Sequence, residues 1–275
     1  MRRRIGIGAL AVGLAAAASG AVGQGGSLAG CADPDLAPTT TLKLCRDALQ
    51  DPGLGPRRRA AVLVNLGVAQ AELGRHGDAV RSFTLAIETD DRFIQAYTNR
   101  ARSHAAEGRT DAALEDFDRA IVEDPSVAEA WLGRGALLLG RGAAAAAVSD
   151  LSRAIALEDE LTAAFFNRGI GYLILGDGRA ADEDFSTVIA RDGTDAGAFV
   201  NRGRARALAG LPGAEADFDR AIGLDPDWPR AWSARGMFHD RAGRTEAADA
   251  DFLRAYELGM QDRWLVERVQ RIGRR

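Results

Sequence analysis

A pattern that returns about every 34 residues constrains this chain more than any other feature of its sequence. In residues 97–125 it reads Tyr97, Asn99-Arg100-Ala101, Gly108, Ala113, Asp116-Phe117, Ala120-Ile121 and Asp124-Pro125. The same marks recur in register in six repeats: residues 60–93, 94–127, 128–161, 162–195, 196–228 and 229–262. Self-similarity at a fixed period predicts stacked copies of one supersecondary unit, each burying its apolar face against the next.

Each mark has a physical reason that points to two antiparallel helices per repeat. An aromatic near the start of the first helix (Tyr97, Trp131, Phe165, Phe199, Trp232) fills the space between neighbours. Glycine or alanine four residues later, and alanine near the start of the second helix, permit a close helix crossing. Gly108 and its equivalents let the chain leave the first helix through a left-handed position. Pro125 after Asp124 ends the second helix, because proline disfavours helix in the residue before it. Repeat five is one residue short, at Leu211-Pro212-Gly213.

Two charged positions travel together. Repeats two to six carry Arg100, Arg134, Arg168, Arg202 and Arg235, and the same five carry Asp116, Asp150, Asp184, Asp217 and Asp251. Repeat one has neither, showing Leu66 and Ser82 instead. Joint presence and joint absence predict a salt bridge between first and second helix, structural rather than catalytic.

Composition agrees with small, tightly packed helices. The chain is 47% apolar but only 6% aromatic, so its core is alanine and leucine. At 275 residues a single compact core is near its upper size, which suits a repeat array. The formal charge of −4 supplies no basic field for nucleic acid.

The ends carry their own signals. Arg2, Arg3 and Arg4, the apolar run Ile5 to Ala18, and Ala21-Val22-Gly23 before Gln24 predict a cleaved signal peptide over residues 1–23. The expected location is periplasmic or secreted. The run is too rich in alanine and glycine to predict a lasting membrane span. In residues 24–59, loop is expected over 24–38 and a capping helix over Thr39–Leu49. Cys31 and Cys45 are the only cysteines, and an oxidising compartment predicts a disulfide between them. Such a bridge is worth about 3 kcal/mol by loop-entropy reasoning. The alternative is a lipobox, Leu28-Ala29-Gly30-Cys31, which would make the chain an outer-membrane lipoprotein assembly factor anchored through Cys31. The spacer Gly20 to Ser27 and the unpaired Cys45 it would leave weigh against it. Residues 263–275 are expected to cap the other end, with Leu265, Val269 and Ile272 on one helix face.

Taken together, the marks over residues 60–262 resemble the tetratricopeptide repeat family. The resemblance implies an all-α, right-handed α-solenoid of stacked antiparallel helix pairs. It also implies a concave groove, lined by first helices, that holds a peptide or partner protein. Carried over by repeat position, the groove residues are Leu132 and Leu139 in repeat three, and Phe166, Ile170 and Leu173 in repeat four. Val200 and Arg204 follow in repeat five. Repeat two shows Gln95, Thr98 and Arg102, and repeat six shows Arg230, Ser233, Met237 and Asp240, so an apolar middle has charged flanks. Some members of the family grip a terminal carboxylate with asparagines and basic residues on three successive first helices. Asn167, Asn201 and Arg230 match three of those five positions, but Ala163 and Ala234 occupy the others and bind no carboxylate. The general groove mode is therefore the expected one.

Catalysis is not expected. His76, His104 and His239 have no metal-ligand spacing, and neither cysteine has a neighbouring histidine to activate it. The glycines punctuate repeats rather than cradle phosphate, since none follows a strand. The function this implies is a non-catalytic scaffold or adaptor, with no cofactor, no metal and no nucleic-acid partner.

Overall fold

The computed structural model describes residues 26–273, so the signal peptide expected over residues 1–23 lies outside the described residues. Among these, fifteen α-helices and no strand are found. They divide into two compact units. One runs up to Arg141 and includes residues 156–158; the other holds residues 142–155 and everything from Asp159 onward.

The first unit opens with α1 (Gly26–Cys31) and α2 (Pro38–Ala48). The helix α1 departs from the loop expected over residues 24–38. Its reason is burial: Cys31 is enclosed and bonded to Cys45, and Leu28 and Leu44 pack around the same cluster. Glycine at 30 permits the contact, because a Cβ there would lie 2.5 Å from Leu44 Cδ1. Leu42, Ala48 and Leu54 complete this small core against Val62 and Leu66 of α3 (Pro56–Glu72), so the cap covers the open side of the first repeat. Replacing both cysteines with serine is expected to loosen this cap by about 3 kcal/mol. Because repeats couple mainly to their neighbours, hydrogen exchange should quicken in α2 while the second unit keeps its protection.

Helix pairs follow. In the first unit α3 pairs with α4 (His76–Thr89), and α5 (Ile94–Ala106) with α6 (Thr110–Glu123), before α7 (Ala128–Gly140). The second unit contains α8 (Ala144–Leu157) and the pairs α9 (Thr162–Leu175) with α10 (Gly178–Arg191), and α11 (Ala196–Ala209) with α12 (Ala214–Leu224). The pair α13 (Pro229–Arg241) with α14 (Thr245–Glu257) and the terminal α15 (Arg263–Ile272) complete it. First helices also touch one another: α5 meets α3 and α7, and α11 meets α9 and α13.

Inside a pair, a buried phenylalanine of the second helix lies against a glycine of the first. A Cβ on Gly67, Gly169, Gly203 or Gly236 would come 2.6–2.8 Å from the ring of Phe83, Phe185, Phe218 or Phe252 respectively. The helices therefore cross at a distance only hydrogen permits. Gly176 closes α9 at φ 82°, the left-handed value that glycine adopts at little cost.

The paired charges form as expected in repeats two, four, five and six. Arg100 meets Asp116 at 2.7 Å, Arg168 meets Asp184 at 2.8 Å, Arg202 meets Asp217 at 2.7 Å and Arg235 meets Asp251 at 2.7 Å. Each pair is bidentate, with Nε and Nη2 donating to the two carboxylate oxygens. The hydrogen bond to Asp116 raises the Arg100 guanidinium pKa, and that to Asp184 raises Arg168 likewise. Burial pushes the Asp184 carboxyl up while Arg168 opposes it, so the aspartate depends on its partner.

The same arginine does more than the sequence pattern indicates. Its remaining Nη1 donates to the second helix of the preceding repeat: Arg100 to Thr84, Arg134 to Asp118, Arg168 to Ser152, Arg202 to Ser186 and Arg235 to Asp219. Its guanidinium also lies 4.9–5.7 Å from the ring centre of the first-helix aromatic three residues earlier. One side chain thus joins two helices of its own repeat and one of its neighbour. Repeat one, lacking the charges, substitutes a neutral bond in which Ser82 Oγ donates to Gln70 Oε1 at 2.7 Å.

Candidate partner-binding surface

In the second unit the first helices α9, α11 and α13 lie side by side, and their outward residues make the surface of interest. On α9, Phe166, Ile170 and Leu173 are half-buried and pack against the cluster of Ala181, Phe185 and Ala205. Phe166 stands edge-to-face on Phe185 with centroids 5.6 Å apart. One turn beyond Ile170, Ile174 is 56% exposed. On α11, Leu208 is 46% exposed one turn beyond Arg204, and on α13, Met237 is 41% exposed. Residues four apart share a helix face, so Ile170 and Ile174, Arg204 and Leu208, and Met237 and Arg241 form three adjacent columns.

Three expected groove residues prove to be packing residues. Leu132, Asn167 and Val200 are buried, so a partner would not reach their side chains. Asn167 sits one residue before the Arg168 strut and is 4% exposed, which leaves little of it for a carboxylate clamp. Leu139 is half-buried on α7 in the first unit, and Asn201 is half-buried and accepts from Arg204 Nη1 at 3.3 Å. Arg204 and Arg230 are exposed. The position-by-position reading missed Ile174 and Leu208. Extending each groove column by four residues would have found them.

The polar groups sort into paired and unpaired sets. Asp240 of α13 is held by Arg268 at 2.8 Å, and Arg206 ties Asp182 to Asp217 at 2.7 and 3.0 Å. In the first unit Arg102 of α5 feels burial, which lowers its pKa, and Glu129 of α7, which opposes that shift. A cleft of about 1360 Å³ in this unit lies between Arg57 and Arg58 at the start of α3 and Glu88 to Phe93, the end of α4 and the turn after it. Its lining mixes both signs of charge.

Two of the three histidines sit beside the struts. His104 Nε2 lies 3.9 Å from Asp116 and His239 Nε2 lies 3.6 Å from Asp251, the strut aspartates. Burial lowers the pKa of His104. Among the described residues no group of three or more histidines, cysteines, aspartates or glutamates is placed to hold a metal, and no helix is long and apolar enough to cross a membrane.

Antiparallel helix pairs joined by glycine turns, with first helices abreast and an exposed apolar row on them, define an all-α helical-repeat protein. A family model described as the tetratricopeptide repeat matches residues 98–160. Proteins of this family generally mediate protein–protein interaction, and the fold is generally a non-catalytic scaffold. Solved structures share the fold at low identity. A tetratricopeptide repeat protein from Parabacteroides merdae is 22% identical with a TM-score of 0.58, covering 85% of this chain and 91% of that one. YrrB, described as a TPR protein with an unusual peptide-binding site, is 22% identical with a TM-score of 0.59, covering 70% of this chain and 99% of its own. MamA is 22% identical with a TM-score of 0.54, covering 62% and 94%. No curated protein matches the chain.

Proposed function

We propose that this protein is an exported, non-catalytic scaffold or adaptor that binds a peptide or partner protein on the outward face of its first helices. The observation that carries this reading is three exposed apolar side chains, Ile174, Leu208 and Met237, one on each of three adjacent first helices of one unit. Exposed apolar side chains gathered in one place mark interaction sites, whereas scattered ones do not. A likeness to YrrB, whose description names a peptide-binding site, supports the same reading. The Cys31–Cys45 disulfide supports export, since such bonds persist in oxidising compartments. It also weighs against the lipid-anchored alternative, because a thioether-linked lipid would consume the Cys31 sulfur.

The test uses immobilised protein and an extract of its own source. Ile174→Asp and Leu208→Asp leave the core untouched and are expected to abolish partner capture, while Val122→Asp, at a side chain 73% exposed on a second helix, should not. Equal capture by all three variants would sink the reading. Mass spectrometry of the mature chain should find an unmodified residue 24 at its start and Cys31 bonded to Cys45.

A further inference from the structure

Repeat symmetry provides an internal control for one charge on this surface. Arg102 and Arg204 occupy the same position in repeats two and five, one turn inside the outward face. Arg102 has Glu129 at the second position of the next repeat, and that carboxylate opposes its desolvation. In the second unit the matching second position, after Arg204, holds Arg230. The carboxylate has been replaced by another cation.

Nothing nearby repairs the imbalance. Arg204 donates only to the neutral Asn201 amide, and among the described residues no carboxylate pairs with Arg204, Arg230 or Arg241. Acids elsewhere in this unit are already engaged: Asp240 with Arg268, Asp182 and Asp217 with Arg206, and Asp195 as the cap that accepts from Ala198 N–H. Arg204 is exposed as a residue, yet partial burial lowers its pKa, and Arg241 adds repulsion in the same direction. The surrounding columns are Ile170 with Ile174, Leu208, and Met237, all apolar. Arg204 and Arg241 thus set uncompensated positive charge beside these apolar side chains, in a chain whose net charge is −4.

We propose that the partner bound on α9, α11 and α13 presents acidic side chains, set beside apolar residues, and that Arg204 and Arg241 receive them. This rests on the reading of this face as the partner-binding surface, and adds the charge of what binds there. The apolar side chains settle against Ile174, Leu208 and Met237, and a glutamate or aspartate supplies Arg204 with the opposite charge that Glu129 offers Arg102. The recognised group is an interior acidic side chain rather than a chain terminus, because Ala163 and Ala234 put no polar group at two of the five terminal-carboxylate positions and Asn167 at a third is buried.

The probes are short fluorescent peptides blocked at both ends, each with two leucines and two adjacent glutamates at varied spacing, and matched series with glutamine or lysine in their place. Fluorescence anisotropy should give at least about tenfold tighter binding for the best glutamate peptide than for its glutamine counterpart. The advantage should shrink as salt is raised. Arg204→Glu with Arg241→Glu should lose the glutamate series and gain the lysine series, with an unchanged thermal melt, since neither arginine anchors the fold. Ile174→Asp and Leu208→Asp should weaken the glutamate and glutamine series alike. Equal binding of glutamate and glutamine peptides overturns the proposal while leaving the binding surface standing. So does equal binding of an unblocked leucine peptide whose only acid is its C-terminal carboxylate, which would make the terminus the ligand. Failure of every peptide series overturns the proposal, and capture by the Ile174 and Leu208 variants then judges the surface separately.

Discussion

Arg168→Ala is expected to destabilise the second unit by about 3–5 kcal/mol, far more than loss of a surface ion pair, which costs about 0–1 kcal/mol. The reason lies in what remains. Asp184 is buried, burial already pushes its carboxyl up, and Arg168 supplies its two strongest hydrogen bonds. Without the arginine, an uncompensated acid sits against the helix pair, and the link from α9 back to Ser152 of α8 is lost as well. Asp184→Ala should also be costly, because Arg168 then keeps only Ser152 and its aromatic neighbours. The double variant should be markedly more stable than the sum of the two single losses, since neither charge is left stranded. Urea melts of the four proteins give the coupling directly. Strict additivity would mean that the pairs are ornaments of the surface.

The second large effect concerns the glycine–phenylalanine crossings. Phe185 is fully buried, and its removal as Phe185→Ala should cost about 3–5 kcal/mol through lost burial and the cavity left behind. Gly169→Ala should cost about 1–3 kcal/mol for the opposite reason, since its new methyl would lie 2.8 Å from the ring. Combining them is the informative step. The alanine methyl then enters space the ring has vacated, so the pair of changes should be less damaging than their sum. Phe166, which leans edge-on against the same ring, transmits any shift to the outward face. Chemical denaturation of the single and double variants reads this, and a sum or worse would show that the two residues do not share one space.

Much of the fold was legible because the repeat supplies its own controls. Six copies let positions be compared without any other sequence, and the joint loss of arginine and aspartate in repeat one pointed to contact. What a pairwise comparison does not contain is a third partner: the reach from Arg100 to Thr84 or from Arg235 to Asp219 crosses between repeats and has no fixed acceptor type. The helix α1 was illegible because Gly26 to Cys31 has weak intrinsic preference, and it takes its shape from the disulfide and from Leu44. At the candidate surface, repeat position placed residues on the correct helices but not at the correct depth. Leu132 and Val200 share the position of the half-buried Phe166, yet a smaller side chain there is covered by neighbouring helices. Ile174 and Leu208 stand about two turns farther on, where they are exposed. The uncompensated charge of Arg204 emerged only when Glu129 and Arg230 were set side by side.

The central claim is that the outward face of α9, α11 and α13 receives the partner. Hydrogen exchange of the protein alone and saturated with its captured partner tests this most directly. Slowed exchange is expected in 162–175, 196–209 and 229–241, strongest around Arg204 and Leu208, with α10, α12 and α14 little changed. Protection confined to those second helices, with the first helices unaffected, would contradict it.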